Sequence, residues 1–319
     1  MCIRDRCTVP WGALAPGTLV AAALTGLDPD ALGVTSAAAS LPVFLTVGAA
    51  AVLISDGRRA ALRHLPDLLA VALALDAGIL LANLVVGTPP AGAVGALVAT
   101  AAATAVLRMR SGQRLPPVGT VARTASPYLI LLIGLIGGRA AAALLDHHPA
   151  AALLGSPATW LLLVSALAVR LAQWPGVLRA WFPVALVTSA FLVLGALLTA
   201  TGQAAQLGRA AARLGTAYPA VAPWLGGLSG YLTGSNAGAN AMLAAAQAEA
   251  AVELGLSVIT LVTVQNVSAS LLTMASPARV AMAAAVTGTT EQTGSITARL
   301  LAVDAVAVLA LTIGSVLAA

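Results

Sequence analysis

Between Gly230 and Asn240 the chain reads Gly-Tyr-Leu-Thr-Gly-Ser-Asn-Ala-Gly-Ala-Asn, placing Thr233, Ser235, Asn236 and Asn240 among three glycines. Apolar arms of helical length flank this stretch on both sides, within Tyr218 to Gly288. A plain membrane span would be hydrocarbon here, because polar groups inside a bilayer are costly and mark solute or ion pathways. Side-chain amides, hydroxyls and glycine-freed backbone suit binding of a small solute or its coupling ion. The plainer reading is that they satisfy the backbone of their own turn, which must find partners away from water.

A second interruption follows the apolar run from Leu256. It reads Val-Gln-Asn266-Val-Ser-Ala-Ser, then Thr273-Met-Ala-Ser276-Pro-Ala-Arg279, then apolar residues to Val286. Ser276 is a good N-cap and Pro277 a good first helical residue, so one helix is predicted to stop before Thr273 and another to start at Pro277. A short helix is likewise predicted from Ser235, beyond the tip at Gly234. Two helix N-termini, each with free N–H groups and a positive dipole end, would face a common cavity. That geometry favours a small anion.

Composition sets the medium. With 60% hydrophobic and 8% charged residues in 319, and a mean hydropathy of +0.96, the chain cannot hide its apolar surface in a soluble core. A polytopic, all-α membrane protein follows. The net charge of +5 rests on arginine alone, in short loops for the most part, which reports membrane orientation and not nucleic acid. Cys2 and Cys7 are too close together to suggest a staple. Met1 to Arg6 are polar, lack an apolar stretch of their own and form no signal peptide; they read as a non-native start on a chain cut at its N-terminus.

Taken in order, residues 7–319 form one transmembrane unit. Val9 to Gly26 holds two prolines and two glycines in its first half and reads as a broken helix, with Pro16 opening the second piece. Spans follow at about Gly33 to Ile54, Pro66 to Val86, Pro90 to Leu107, Pro127 to Leu145, Ala152 to Leu171 and Phe182 to Thr201, then the amphipathic stretch Gly202 to Gly215. With a hairpin over 217–254, a broken helix over 256–287 and a last span from about Ala298, about nine segments cross the membrane. Residues 7–56 are read as the remnant of a first repeat core, 57–181 as intervening helices and 182–319 as a second repeat.

Placing the Arg58 loop in the cytoplasm also places Arg108 to Arg123 and Arg170 to Arg179 there, with the Asp28 and Asp146 loops outside; only Arg209 and Arg213 run against the positive-inside rule. Ala21-Ala-Ala-Leu-Thr-Gly26 and Ala283-Ala-Ala-Val-Thr-Gly288 precede similar linkers and spans in opposite orientations, as an inverted repeat requires.

The run Leu232-Thr-Gly-Ser-Asn-Ala-Gly-Ala-Asn-Ala-Met-Leu243, Gln247, Asn266 and Met274-Ala-Ser-Pro277 resembles the L-lactate permease family in order and spacing. The resemblance extends through Trp11-Gly-Ala-Leu, Ser126-Pro-Tyr128 and Thr199-Ala-Thr-Gly202, and so over nearly the whole chain after Cys7. It implies a secondary transporter that takes up lactate, and often glycolate, with protons, built on re-entrant hairpins and broken helices. Members of the family usually carry an acidic residue where Asn236 stands and a lysine where Thr273 stands. Both are neutral here, so the net charge is kept while proton coupling and substrate are placed in question. Arg279 is not the usual residue at its position, and its planar fork suits a carboxylate.

Other polar residues have plainer readings. Glu249 and Glu253 suit a solvated face, and Gln265, just before the break, suits either a donor to a substrate oxygen or glue between helices. Asp76 and Arg139 are read as an intramembrane pair, while Asp304 stays unassigned. His147 and His148 lack a third metal ligand, the glycines fit no phosphate or dinucleotide fingerprint, and no nucleophile and base constellation lies in the spans.

The sequence therefore points to an inverted-repeat secondary transporter of a small monocarboxylate such as L-lactate, glycolate or another 2-hydroxy acid, in a bacterial cytoplasmic (inner) membrane. Substrate contacts are expected at Thr233, Gly234, Ser235, Asn236, Asn240, Asn266, Thr273, Ser276 and Arg279, without catalytic residues, cofactor or metal. The expected partners are a small organic anion, a co-transported proton or sodium, and membrane lipid, with a homo-oligomer compatible and no nucleic acid. The alternatives are a sodium-coupled transporter of another organic anion and a membrane sensor that binds ligand without moving it.

Overall fold

A computed structural model describes residues 15–111, 118–145, 148–168 and 173–318. Met1 to Arg6, the Trp11 stretch and the first piece predicted for the broken helix lie outside the described residues, as do Arg114, Asp146, His147 and Arg170.

The chain opens with α1 (Pro16–Thr25), begun by its proline and ended by Gly26 at φ 71, a left-handed cap that glycine adopts without strain. Asp28 then caps α2 (Pro29–Arg63) by accepting the Ala31 N–H at 2.7 Å. This start is four residues before the predicted span, because Asp28 and Pro29 supply a cap and a preset first φ. The predicted loop from Asp56 to His64 is instead a kink. Helix resumes at once after Gly57, whose φ of 82 and ψ of 177 only glycine reaches cheaply.

Next come α3 (Leu65–Val85), α4 (Thr88–Ser111) and α5 (Val118–Leu144). The single span predicted over Ala152 to Leu171 is broken, giving α6 (Pro149–Gly155) and α7 (Pro157–Ala168). Ser156 is extended at φ −79 and ψ 122, as a residue before proline prefers. Beyond lie α8 (Trp174–Ala200) and α9 (Gln203–Ala212), the latter matching the predicted amphipathic stretch.

The second half holds both predicted interruptions. A helical hairpin is built from α10 (Tyr218–Thr233) and α11 (Asn236–Leu254), turning at Gly234 with φ 61. Then α12 (Val258–Leu272) passes through one 3-10 turn, Thr273–Ala275, into α13 (Pro277–Thr287), and α14 (Thr293–Ala318) follows. In build α13 echoes α1: a proline start, about three turns and a left-handed glycine cap, here Gly288 at φ 69.

Six helical stretches among the described residues are long and apolar enough to cross a membrane: Pro29–Arg63, Leu65–Val85, Thr88–Arg110, Trp174–Ala200, Val258–Thr287 and Thr290–Ala318. Pro16–Thr25, Tyr128–Leu144 and Pro157–Leu167 are shorter apolar helices. The chain is a multi-pass, all-helical membrane protein over its described residues.

Packing converges on α12, which α2, α10, α11 and α14 all touch. Glycine sets the closest approach: a Cβ on Gly230 would overlap the Ala269 carbonyl oxygen, and one on Gly226 would overlap the Ser268 hydroxyl. Small residues let helix backbones meet where lipid supplies no hydrophobic drive between helices. On the other side of α12, Val267, Leu271 and Met274 pack with Val43 and Val47 of α2 and with Ala307, Val308 and Leu311 of α14.

One ion pair differs from the sequence reading. Arg139 of α5 pairs with Asp30 of α2, not with Asp76. Asp30 also accepts the Thr88 N–H at 2.8 Å, and the Thr88 hydroxyl donates to Pro29 O and to Asn83 Oδ1, each at 2.9 Å. Asp30 sits at a helix start, where its carboxylate reaches both a free backbone N–H and water-accessible arginine; Asp76 is buried in α3, 7% exposed, with Oδ1 unpartnered among the described residues.

Candidate functional site at the hairpin tip and helix break

The hairpin tip is locked by its own side chains before it offers any to a solute. The Thr233 hydroxyl donates to Ser229 O at 2.8 Å and to Ser235 O at 2.9 Å, and accepts the Ser235 N–H at 3.3 Å. Ser235 caps α11 by accepting the Gly238 N–H at 3.2 Å. For these two residues the plainer structural reading accounts for every contact. Their function is to aim the next turn.

That turn carries Asn236 and Asn240, one turn apart on the buried face of α11. Both donate to a single acceptor on α12, Asn266 Oδ1, from Asn236 Nδ2 at 3.0 Å and Asn240 Nδ2 at 2.9 Å. Asn240 Nδ2 also reaches Gly17 O at 3.0 Å, and Asn236 Oδ1 at 3.3 Å. The amide of Asn266 points the other way, donating to Thr18 Oγ1 on α1 and Ser36 Oγ on α2, both at 3.0 Å. Asn266 is thus a hub that ties α11, α1 and α2 to α12. Asn240, Asn266, Thr18 and Ser36 are all 0% exposed. No formal charge lies within this cluster. Asn240 Oδ1, buried, has no partner among the described residues.

A second group forms where the break meets the tip. Arg279, on the first turn of α13, donates from Nε to Gly234 O at 2.6 Å. Ser276 also comes up to the tip, its Oγ lying 2.8 Å from where a Cβ on Gly234 would stand. Although Ser276 occupies the predicted N-cap of α13, its side chain makes no capping bond, and its buried Oγ is unpartnered among the described residues. The Thr273 hydroxyl turns back onto its own helix, donating to Ser270 O at 2.7 Å. Of the nine residues predicted for the site, Asn236, Asn240 and Asn266 share one hydrogen-bonded cluster. Gly234, Ser276 and Arg279 share the junction beside it, and Thr233, Ser235 and Thr273 hold the local backbone.

Sequence reasoning did not single out Gly17, Thr18 and Ser36. A signal existed for the first two, which directly follow the proline that opens α1. Gly17 also keeps space, because a Cβ there would overlap the Asn236 side chain. Ser36 offered no signal, being one hydroxyl in an apolar run. The glutamines form a separate chain: Tyr218 OH donates to Gln247 Oε1 at 2.6 Å, Gln247 Nε2 to Gln265 Oε1 at 3.2 Å, and Gln265 Nε2 to Ser229 Oγ at 3.2 Å. They stitch α10, α11 and α12 together, the role of glue. Among the described residues no group of three or more His, Cys, Asp or Glu is placed to hold a metal ion.

Chemically, this arrangement offers neutral amide donors, an unused amide acceptor and, at the hairpin tip, a guanidinium where two helix N-termini meet. It suits a small solute with a carboxylate and a hydroxyl. It offers no nucleophile activated by a base.

No curated protein and no solved structure matches this chain. The family model described as L-lactate permease matches residues 163–319, a narrower stretch than the resemblance read over nearly the whole chain. It takes in α8 to α14, and with them all nine predicted site residues. By that match, the stretch that carries the hairpin, the break and the asparagines of the hub is similar to the L-lactate permease family.

Proposed function

We propose that the protein is a secondary active transporter of a small monocarboxylate, L-lactate or a related 2-hydroxy acid such as glycolate, moved by proton symport across a bacterial cytoplasmic membrane. The observation that carries this reading is the Asn266 hub, where the tip of a hairpin meets two other helices inside a span, in a chain whose second half matches a permease family. Substrate reaches the hub when the tip withdraws from Asn266. Its carboxylate then takes the amide hydrogens that Asn236 and Asn240 give to Asn266 Oδ1, and its hydroxyl donates to Asn240 Oδ1. Arg279 and the N-termini of α11 and α13 supply positive potential for the anion.

An inverted repeat underlies the motion in this reading. It is supported by the shared build of α1 and α13, each followed by a long apolar helix, and by the charge distribution of the loops. In the same reading α10 and α11 form a re-entrant hairpin, and about nine segments cross the membrane.

Uptake of labelled L-lactate into proteoliposomes holding the full-length protein, under an imposed pH gradient and beside an Asn236→Asp variant, tests it. Gradient-driven uptake by the parent is the expected result. Uptake by the variant alone would mean that the amide has changed the coupling or the substrate. Silence from both overturns the lactate and proton reading, and a sodium gradient at fixed pH with other organic anions then tests the sodium-coupled form.

A further inference from the structure

Asp304 lies on α14 and is 0% exposed, and neither of its carboxyl oxygens has a hydrogen-bond partner among the described residues. It caps no helix and joins no ion pair there. Its neighbours follow from register. On α14 the residues Leu300, Val303, Asp304, Ala307, Val308 and Leu311 share one face by helical spacing, and most of them pack in one cluster with α12 and α2. The facing seam is Val267 and Leu271 of α12 with Met274 of the turn after it, and Ser270 is spaced for the same face. Ser270 Oγ on that seam is buried and unpartnered as well.

The two helices run in opposite directions. Gly314, Ser315 and Ala318 of α14 line one cavity with Thr260 and Thr263 near the start of α12, whereas Ala307 and Val308 meet the seam that ends at Met274. Asp304 is a further turn along, in the direction of the Thr273–Ala275 turn, which α14 touches. It is about 21 Å along α14 from Ala318, and Thr273 is about 22 Å along α12 from Val258, so both stand at similar depth.

We propose that Asp304 is the proton-carrying group of the transport cycle. An ionised carboxylate without partners in so dry a place meets a large desolvation penalty, so the packed arrangement holds the neutral acid. Coupling requires a group whose affinity for a proton differs between conformations. Asp304 has that property by position, since movement of the helix break away from α14 would open its buried carboxyl to water. The proton is taken onto a carboxyl oxygen from one side of the membrane and released from the same oxygen to the other.

No opposite charge fixes its state. From residue 31 to 55 α2 has no charged side chain, and neither do α12 or the turn. The titratable groups of α10 are Tyr218 and Tyr231. On α13 Arg279 reaches Gly234 O, and Arg299 of α14 and Glu291 before it are exposed.

The proposal rests on the transport reading above, and the test separates the two. Full-length protein is reconstituted as the parent, Asp304→Asn and Asp304→Glu, and each is assayed for lactate counterflow without a gradient and for accumulation driven by a pH gradient. Parent protein without counterflow would sink the transport reading itself. In Asp304→Asn, counterflow is expected within about threefold of the parent while driven accumulation falls at least about tenfold. If that variant keeps both activities, the proposal is overturned. Should it lose both, Asp304→Glu decides: a displaced pH profile of uptake supports the proposal, and a profile identical to the parent's overturns it.

Discussion

The helix α8 and the stretch Val258–Thr287, which opens with α12, are both apolar, with mean hydropathies of 2.1 and 1.5 in their richest parts, yet they occupy opposite environments. In the stretch containing α12, 78% of the residues are buried inside the protein, against 6% in α8. Hydropathy alone does not separate them, because a bilayer is as apolar as a protein core. Polar content does. Within eight residues α12 buries Thr263, Gln265, Asn266, Ser268 and Ser270, and each needs protein around it. Along α8 the exposed residues include Trp181, Phe182, Leu186, Val187 and Val193, and its close approach to the rest is at Gly195, where a Cβ would overlap the Ala241 carbonyl oxygen of α11. In such a protein a buried polar side chain says where the inside is.

Three substitutions press on this contrast. The largest effect is expected from Asn266→Ala, which strands the Asn236 amide, takes one of three acceptors from the Asn240 amide and removes the amide that donates to the Thr18 and Ser36 hydroxyls. Lactate uptake should fall to background and stability by about 3 kcal/mol, read by uptake and by thermal melting in detergent. A variant that transports normally would remove the hub from the mechanism. Gly230→Ala is next. Its methyl meets the Ala269 backbone, so α10 has to move off α12, at a cost of about 2 kcal/mol. An unchanged melting temperature would show that the contact is not tight. At the small end stands Leu186→Ala on α8, 60% exposed, with an expected change within about 0.5 kcal/mol. A substantial loss there would point to a partner covering that face, such as a second copy of this chain.

Both interruptions were legible because their signals are local: Gly234 with Ser235 for the hairpin turn, Ser276 with Pro277 for the break. A Ser-Pro signal of the same kind stands at Ser156-Pro157 inside a long apolar run, and there the backbone preference breaks the run into α6 and α7. Partnerships were less legible. Arg139 could be read as needing an acid, but nothing in the sequence says that Asp30, 109 positions away, stands closer than Asp76. The hydroxyls of the hub were hidden for another reason. Thr25, Thr46 and Thr100 bond the carbonyl four residues back in their own helices, and by type alone Thr18 and Ser36 look no different.

Asn266 joins residues separated by 248 and 230 positions. The hub therefore has a place in the order of biogenesis. At typical rates of synthesis, about 5–20 residues per second, Thr18 precedes Asn266 by roughly 12–50 s. During that interval α1 and α2 are made while their binding partner is not, and the same hydroxyls must rest on carbonyls of their own helices or on water. The cluster proposed to bind the solute is thus also a late clasp of the newborn chain, closed only when the hairpin and α12 arrive.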